Sequence, residues 1–247
     1  MKRRSGFFKR LGKGVLGLTG LRLLDWIEVF YLPDDGVIIP IISKSGCSTI
    51  KEALICKFKP GFESAFPEIH QIDPAKETNG KVQRLKFYQY SKYIKFAEGK
   101  EMHLIMRDPA KRLISCYMDI VTSKNIMYEH PSELYHWMPF GPNMTFSNFS
   151  KRVYKTPDYL SDRHFRSQSF CLNESVSRNL LNLEIHKLSE FIKSSDLIPE
   201  SYRTSKRRLN PSVKNDLTSP TSEELSANSE FRKRYARDIY LFEQTSR

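Results

Sequence analysis

The sequence holds no apolar run long enough to cross a bilayer. Near the N-terminus Gly14 to Leu21 lasts only eight residues before Arg22 interrupts it, against about 20 residues for a spanning helix. That length would suit a signal-peptide core, but Arg22 and Asp25 stand where the small residues of a cleavage site belong. Cysteine is also sparse: Cys47, Cys56, Cys116 and Cys171 make no C-x-x-C pair and no Cys/His group with zinc-ligand spacing. A disulfide framework and a finger-type metal site are therefore not expected, and a reducing compartment fits. There is no G-x-x-x-x-G-K-[ST] run, no internal repeat and no recognisable RNA- or DNA-binding signature.

What is present is a chain of 247 residues with 16 Phe and 12 Tyr, enough to bury one substantial core. The 40 Lys and Arg against 28 Asp and Glu give a net charge of +12, which favours phosphorylated or polyanionic partners and anionic membrane surfaces. Much of the excess is local, since Lys2, Arg3, Arg4, Lys9, Arg10, Lys13 and Arg22 all precede Asp25. Residues 1–32 read as a basic amphipathic segment, with residues 1–30 able to rest on a membrane or on the domain, and residues 33–247 as a single catalytic domain. The missing anchor favours a cytoplasmic place, peripheral to the inner face of a membrane at most.

Val37 to Ile42 is a β-branched run bounded by Asp34-Asp35-Gly36 and Ser43-Lys44-Ser45-Gly46, the pattern of a strand buried on both faces. Thr49 to Phe58 follows with helical spacing and ends before Pro60-Gly61. Met102 to Met106 repeats the buried-strand pattern, and Asp108-Pro109 supplies a helix N-cap and a proline at the first helical position. Val82 to Phe96 shows weak helical periodicity, Asn179 to Ile192 fits a helix or a strand then a helix, Arg203 to Ser229 reads as a loop, and Glu230 to Phe242 is helical again. Asn125 to Tyr159, with four prolines and many aromatics, reads as a loop-rich wall for an acceptor cleft. Repeated strand-helix units predict an α/β fold of three layers, a mostly parallel central sheet flanked by helices.

The loop Ser43-Lys44-Ser45-Gly46-Cys47-Ser48-Thr49 lies where a buried strand becomes a helix, so unpaired N–H groups and the positive dipole end converge there. Gly46 allows close approach, Ser48 and Thr49 add hydroxyls, and Lys44 brings a point charge. The second junction, Arg107-Asp108-Pro109 to Asp119, offers a bidentate arginine and, two helical turns on, Ser115. Either junction alone is equally readable as a polar turn or a capping pair; Arg112 fits a helix anchor or a partner for Asp108.

The run Lys44-Ser-Gly-Cys-Ser-Thr-Ile-Lys51 resembles the 5′-phosphosulfate loop of sulfotransferases that use 3′-phosphoadenosine 5′-phosphosulfate (PAPS), and Arg107-Asp108-Pro109-x-x-Arg112-Leu113-x-Ser115-x-Tyr117 resembles their 3′-phosphate element. Asp162-x-His164-Phe165-x-x-Gln168 is similar to a segment of the carbohydrate-directed branch, with Ser167 where proline is usual. Leu209-Asn210-x-Ser212 and Tyr235-x-x-Asp238-x-x-Leu241-Phe242 are similar to that branch's closing segments. The resemblance runs from about residue 37 to the C-terminus and implies a P-loop-like fold. It implies PAPS held by Lys44, Ser45, Gly46, Cys47, Ser48, Thr49, Arg107 and Ser115, a carbohydrate or glycolipid acceptor, no metal and no nucleic acid. Lys44 would stabilise the departing bridging oxygen. For the general base, His164 leads, Glu52 lies on the loop's helix, and His70 and Glu68 fall in a variable region; His103, inside a strand, reads as structural. The rivals are a nucleotide-dependent phosphotransferase of the P-loop type, which lacks its Walker lysine here, and a basic nucleic-acid-binding module. Acceptor identity and oligomeric state have no signature.

Overall fold

The computed structural model describes residues 26–64, 68–122, 144–172, 174–204 and 219–245. Its centre is a five-stranded sheet built from β1 (Ile27–Leu32), β2 (Val37–Pro40), β3 (Gln83–Phe87), β4 (Glu101–Met106) and β5 (Asn182–Lys187), in the spatial order β3-β1-β2-β4-β5. β2, β4 and β5 run parallel. β1 is antiparallel to both β2 and β3; with β2 it has to be, because their link is a turn over Pro33 to Gly36, too short for the crossover that a parallel pair requires. Gly36 takes φ +65° there, a region a side chain disfavours.

The helices are α1 (Cys47–Phe58), α2 (Pro74–Glu77), α3 (Tyr90–Ala97), α4 (Pro109–Thr122), α5 (Phe146–Lys155), α6 (Glu174–Asn179), α7 (Leu188–Ser194), α8 (Glu200–Arg203), α9 (Ser222–Ala227), α10 (Ser229–Arg234) and α11 (Ala236–Gln244). Alternation along the strands sorts the core into two faces. Phe30, Leu32, Ile39 and Ile105 pack with Ile50, Ala53 and Leu54 of α1 and Phe191 of α7. Val29, Ile38, Met102, Leu104 and Met106 pack with Tyr93 of α3 and Val176 of α6. A third cluster joins Leu113 and Tyr117 of α4 to Phe149 of α5, Leu225 of α9 and Phe231 of α10. Ile38 and Ile39 are wholly buried, each contributing about 1.5–3 kcal/mol of transfer free energy.

The three-layer α/β expectation holds, with the parallel strands β2, β4 and β5 running from the middle of the sheet to one edge. The boundary at residue 32 does not: Ile27–Leu32 is paired on both sides within the sheet, so the domain starts before residue 33. The remainder of the basic segment, residues 1–25, lies outside the described residues, as do 123–143 of the aromatic stretch and 205–218 of the expected loop, which includes Leu209-Asn210 and Ser212. Val82 to Phe96 divides into β3 and α3, and Asn179 to Ile192 resolves into β5 and α7. Among the described residues no helix is long and apolar enough to cross a membrane. The four cysteines are free thiols.

Candidate functional site

β2 and β4 are parallel neighbours, so the loops leaving their C-terminal ends meet, the usual place for a ligand in such sheets. After β2 the chain turns sharply. Lys44 sits at φ +66° and Gly46 at φ +78°, two left-handed residues that swing the backbone into α1. Gly46 is the N-cap and its carbonyl accepts the N–H of Ile50. The first-turn amides of Cys47, Ser48 and Thr49 therefore have no intrahelical acceptor and point out of the helix start. Glycine suits 46 by its conformation, and a Cβ there would also lie 2.6 Å from Leu188 Cδ1 and Cδ2, so that side chain would have to shift.

After β4, Asp108 caps α4 by accepting the N–H of Lys111 at 2.8 Å. Arg107, just before it, donates from Nη1 to the carbonyl of Lys44 at 3.2 Å, which brings the two predicted anion-binding elements side by side. Burial and the neighbouring Arg112 lower its pKa, yet a guanidinium stays charged. Arg112 does not balance Asp108. It is buried and spends its donors on three carbonyls, Ser43, Arg166 and Arg163, tying α4 to the loop after β2 and to the segment 163–166. Asp119 meets Lys44 Nζ at 2.5 Å. Since Arg112 and Asp119 both face that loop, Ser115, at i+3 from one and i−4 from the other, lies on the same face of α4.

Gln168, quoted in the third motif but not counted as a site residue, joins the two loops. Its Oε1 accepts from Ser45 Oγ at 2.7 Å and from the N–H of Arg107 at 3.0 Å, and its Nε2 donates to the carbonyl of Arg107 at 2.9 Å. Asp238 on α11 fixes Gln168 in turn by accepting the N–H groups of Gln168 and Ser169. The third and last motifs thus form one brace behind the first two.

The base candidates separate clearly. Glu52 is fully buried on α1 and bonds to the N–H of Ser64 and the hydroxyl of Tyr202, so it cannot reach an acceptor; that corrects the expectation. His164 Nδ1 lies 2.6 Å from Asp162 Oδ1, which also accepts the His164 N–H. This pairing, reinforced by Arg163, holds the Asp162 carboxyl well below the usual carboxylate range. His70 lies beside the anion loop, with Nε2 3.1 Å from Ser48 Oγ. Lys51 sets it there by donating to the carbonyls of Ile69 and Ile72, which makes Lys51 a positioning residue that sequence reading quoted but gave no role. Desolvation of the ring where it meets Ser48, and the cations Arg84, Lys51, Arg163 and Lys44, bring the His70 imidazole down to about 4, although the residue as a whole is exposed. Glu68 is exposed at the start of the same 3₁₀ turn.

The arrangement brings together one helix start, one lysine and one arginine, groups whose chemistry suits anions, with a neutral imidazole alongside. Residues 28–244 match the family model described as "Sulfotransferase family". No curated protein and no solved structure matches the chain. That matched span takes in both anion loops, the Gln168 brace and most of the chain, and the chain belongs to the sulfotransferase family, enzymes that transfer a sulfuryl group from PAPS.

Proposed function

We propose that the enzyme moves the sulfuryl group of PAPS to a hydroxyl of a carbohydrate or glycoconjugate, with the 5′-phosphosulfate on the loop Lys44 to Thr49 and the 3′-phosphate on Arg107 and Ser115. The observation that carries this reading is the Gln168 bridge between Ser45 and Arg107, which holds two anion-binding loops at one fixed separation and so suits a ligand with two anionic groups. The acceptor oxygen attacks sulfur in line, the bridging S–O bond breaks, and adenosine 3′,5′-bisphosphate leaves with the bonding pair. Lys44 stabilises the charge gathering on that leaving oxygen, helped by the amides of α1. Before the donor arrives Lys44 rests on Asp119.

His70 takes the acceptor proton. It is neutral at physiological pH, lies against the loop through Ser48, and stays within electrostatic reach of Lys44. A pocket beside Gln168, lined by Trp26, Ile42, Arg163, Arg166 and Phe170, combines cationic and aromatic groups suited to an acidic sugar. Transfer of labelled sulfate from PAPS to a panel of oligosaccharides and tyrosyl peptides tests the acceptor class: label on oligosaccharides is expected, and label on peptides alone overturns the carbohydrate assignment.

A further inference from the structure

Below the anion loops, β4 and its edge neighbour β5 carry a second set of polar side chains that the transfer reaction does not use. Strand pairing sets His103 opposite Glu184 and Ile105 opposite His186, so the two histidines and the glutamate share one face of the sheet. His103 Nδ1 lies 2.9 Å from His186 Nε2 and 3.4 Å from Glu184 Oε2, and the last two atoms are 3.2 Å apart. Three potential ligand atoms thus form a nearly equilateral triangle. Around tetrahedral zinc, with bonds of about 2.0–2.1 Å, ligand atoms stand about 3.3 Å apart.

Proton bookkeeping favours a cation there. Glu101 Oε1 lies 2.8 Å from His103 Nε2. Donation of Nε2–H to that carboxylate leaves Nδ1 as a lone pair, facing the acceptor oxygen of Glu184. With His103 neutral, a single proton on His186 Nε2 has to serve both, whereas a divalent ion takes all three lone pairs at once. Glu101 would then orient a liganding histidine from behind, the usual carboxylate–histidine–metal relay. The imidazole rings are inclined by only 10° with centroids 5.1 Å apart, so His103 Nδ1 and His186 Nε2 face each other. The two nitrogens need to part by about 0.4 Å to reach the tetrahedral spacing. Phe191 packs against both rings, while side chains of Glu184 and His186 remain 42% and 24% exposed, leaving a way in and a position for water.

We propose that His103, Glu184 and His186 form a zinc site that clamps the edge strand β5 to β4. His103 lies four residues before Arg107 on extended chain, about 13 Å from the anion loops, so this ion takes no part in sulfuryl transfer. Its influence runs through structure: β4 leads into Arg107, and β5 leads into Leu188, the side chain packed against Gly46. The residues stand about eighty positions apart in the sequence, which hides the set from any spacing rule.

The test uses the whole enzyme, stripped with chelator and titrated calorimetrically with zinc chloride, then optically with cobalt(II). One equivalent of zinc is expected, with four-coordinate ligand-field bands for cobalt and a rise in Tm of about 5 °C at a hundredfold excess over Kd. His186→Ala and Glu184→Ala, both at partly exposed positions, are expected to abolish uptake, and Glu101→Gln to weaken it by about 10–100-fold. Uptake of no zinc, or uptake unchanged in His186→Ala, overturns the proposal. Binding of adenosine 3′,5′-bisphosphate by the same preparations shows separately that the fold and the donor site are intact.

Discussion

Lys44→Ala is expected to lower kcat by about 10²–10³-fold, the usual cost of removing one preorganised group from developing charge, while changing the Kd of adenosine 3′,5′-bisphosphate far less. The split follows from where Lys44 sits. Its ammonium is held by Asp119 beside the loop after β2, whereas the loop amides and Arg107, to which the proposal assigns the phosphates in both ground and transition states, remain after the substitution. The backbone also tolerates the change, since alanine inherits the same left-handed conformation, φ +66°, that the lysine already adopts. Single-turnover kinetics with saturating PAPS, set beside calorimetry with the bisphosphate, check this. A large loss of bisphosphate affinity with little loss of kcat would show that Lys44 is a binding residue instead.

His70→Ala is expected to reduce kcat by about a hundredfold, within the range for general base catalysis, and His164→Ala by less than about tenfold. In the free enzyme desolvation of the ring against the loop and four nearby cations hold the otherwise exposed His70 down to about 4. Bound PAPS brings negative charge against Ser48, which offsets those cations and moves the imidazole back up, toward its ordinary 6.5. Proton NMR of the His70 ring therefore shows a titration near pH 4 that rises when the bisphosphate is added. The acid limb of kcat lies at higher pH than that for the free enzyme. The sign for stability is opposite in sense to a paired histidine. The folded pKa lies below the unfolded one, so the unfolded chain gains a proton first, and the stability present above pH 6.5 falls as pH drops toward 4. A His70 ring that titrates at its ordinary value and ignores the bisphosphate would remove it from the site.

The anion loop and the arginine junction could be read from the sequence because each is local: a buried strand, a turn and a capped helix lie within a dozen residues. β2, α1, β4 and the Asp108 cap follow that reading closely. β1 was hidden because Glu28 stands second in it, and one charge in a short apolar run following a basic segment argues against a strand. In the fold that carboxylate is buried among Arg84, Lys86, Arg163 and Trp26, partners found only when distant segments meet. β3 was missed for a related reason: Gln83–Phe87 pairs on one side only and carries Gln, Arg and Lys in five residues, so no clean alternation marks it.

The site itself was legible as two halves and not as a whole. Gln168 binds Ser45 and Arg107 across 123 and 61 positions, and no periodicity carries that information. The helical register of Glu52 was read correctly, but its direction was not: it turns inward to Tyr202, 150 residues away. His70 takes its place through Lys51, whose ammonium gathers the carbonyls of Ile69 and Ile72. A turn in a polar stretch thus becomes one wall of the site by side-chain bonding alone.

The central claim is that two loops joined by Gln168 hold one doubly anionic donor. Calorimetric titration with adenosine 3′,5′-bisphosphate, in wild type and in Arg107→Ala and with ATP and Mg²⁺ as the comparison ligand, tests it most directly. Tight binding in the wild type, weakened by about a hundredfold in Arg107→Ala through loss of charged hydrogen bonds, is the predicted result. No binding of the bisphosphate, or preference for ATP with Mg²⁺, would contradict the account.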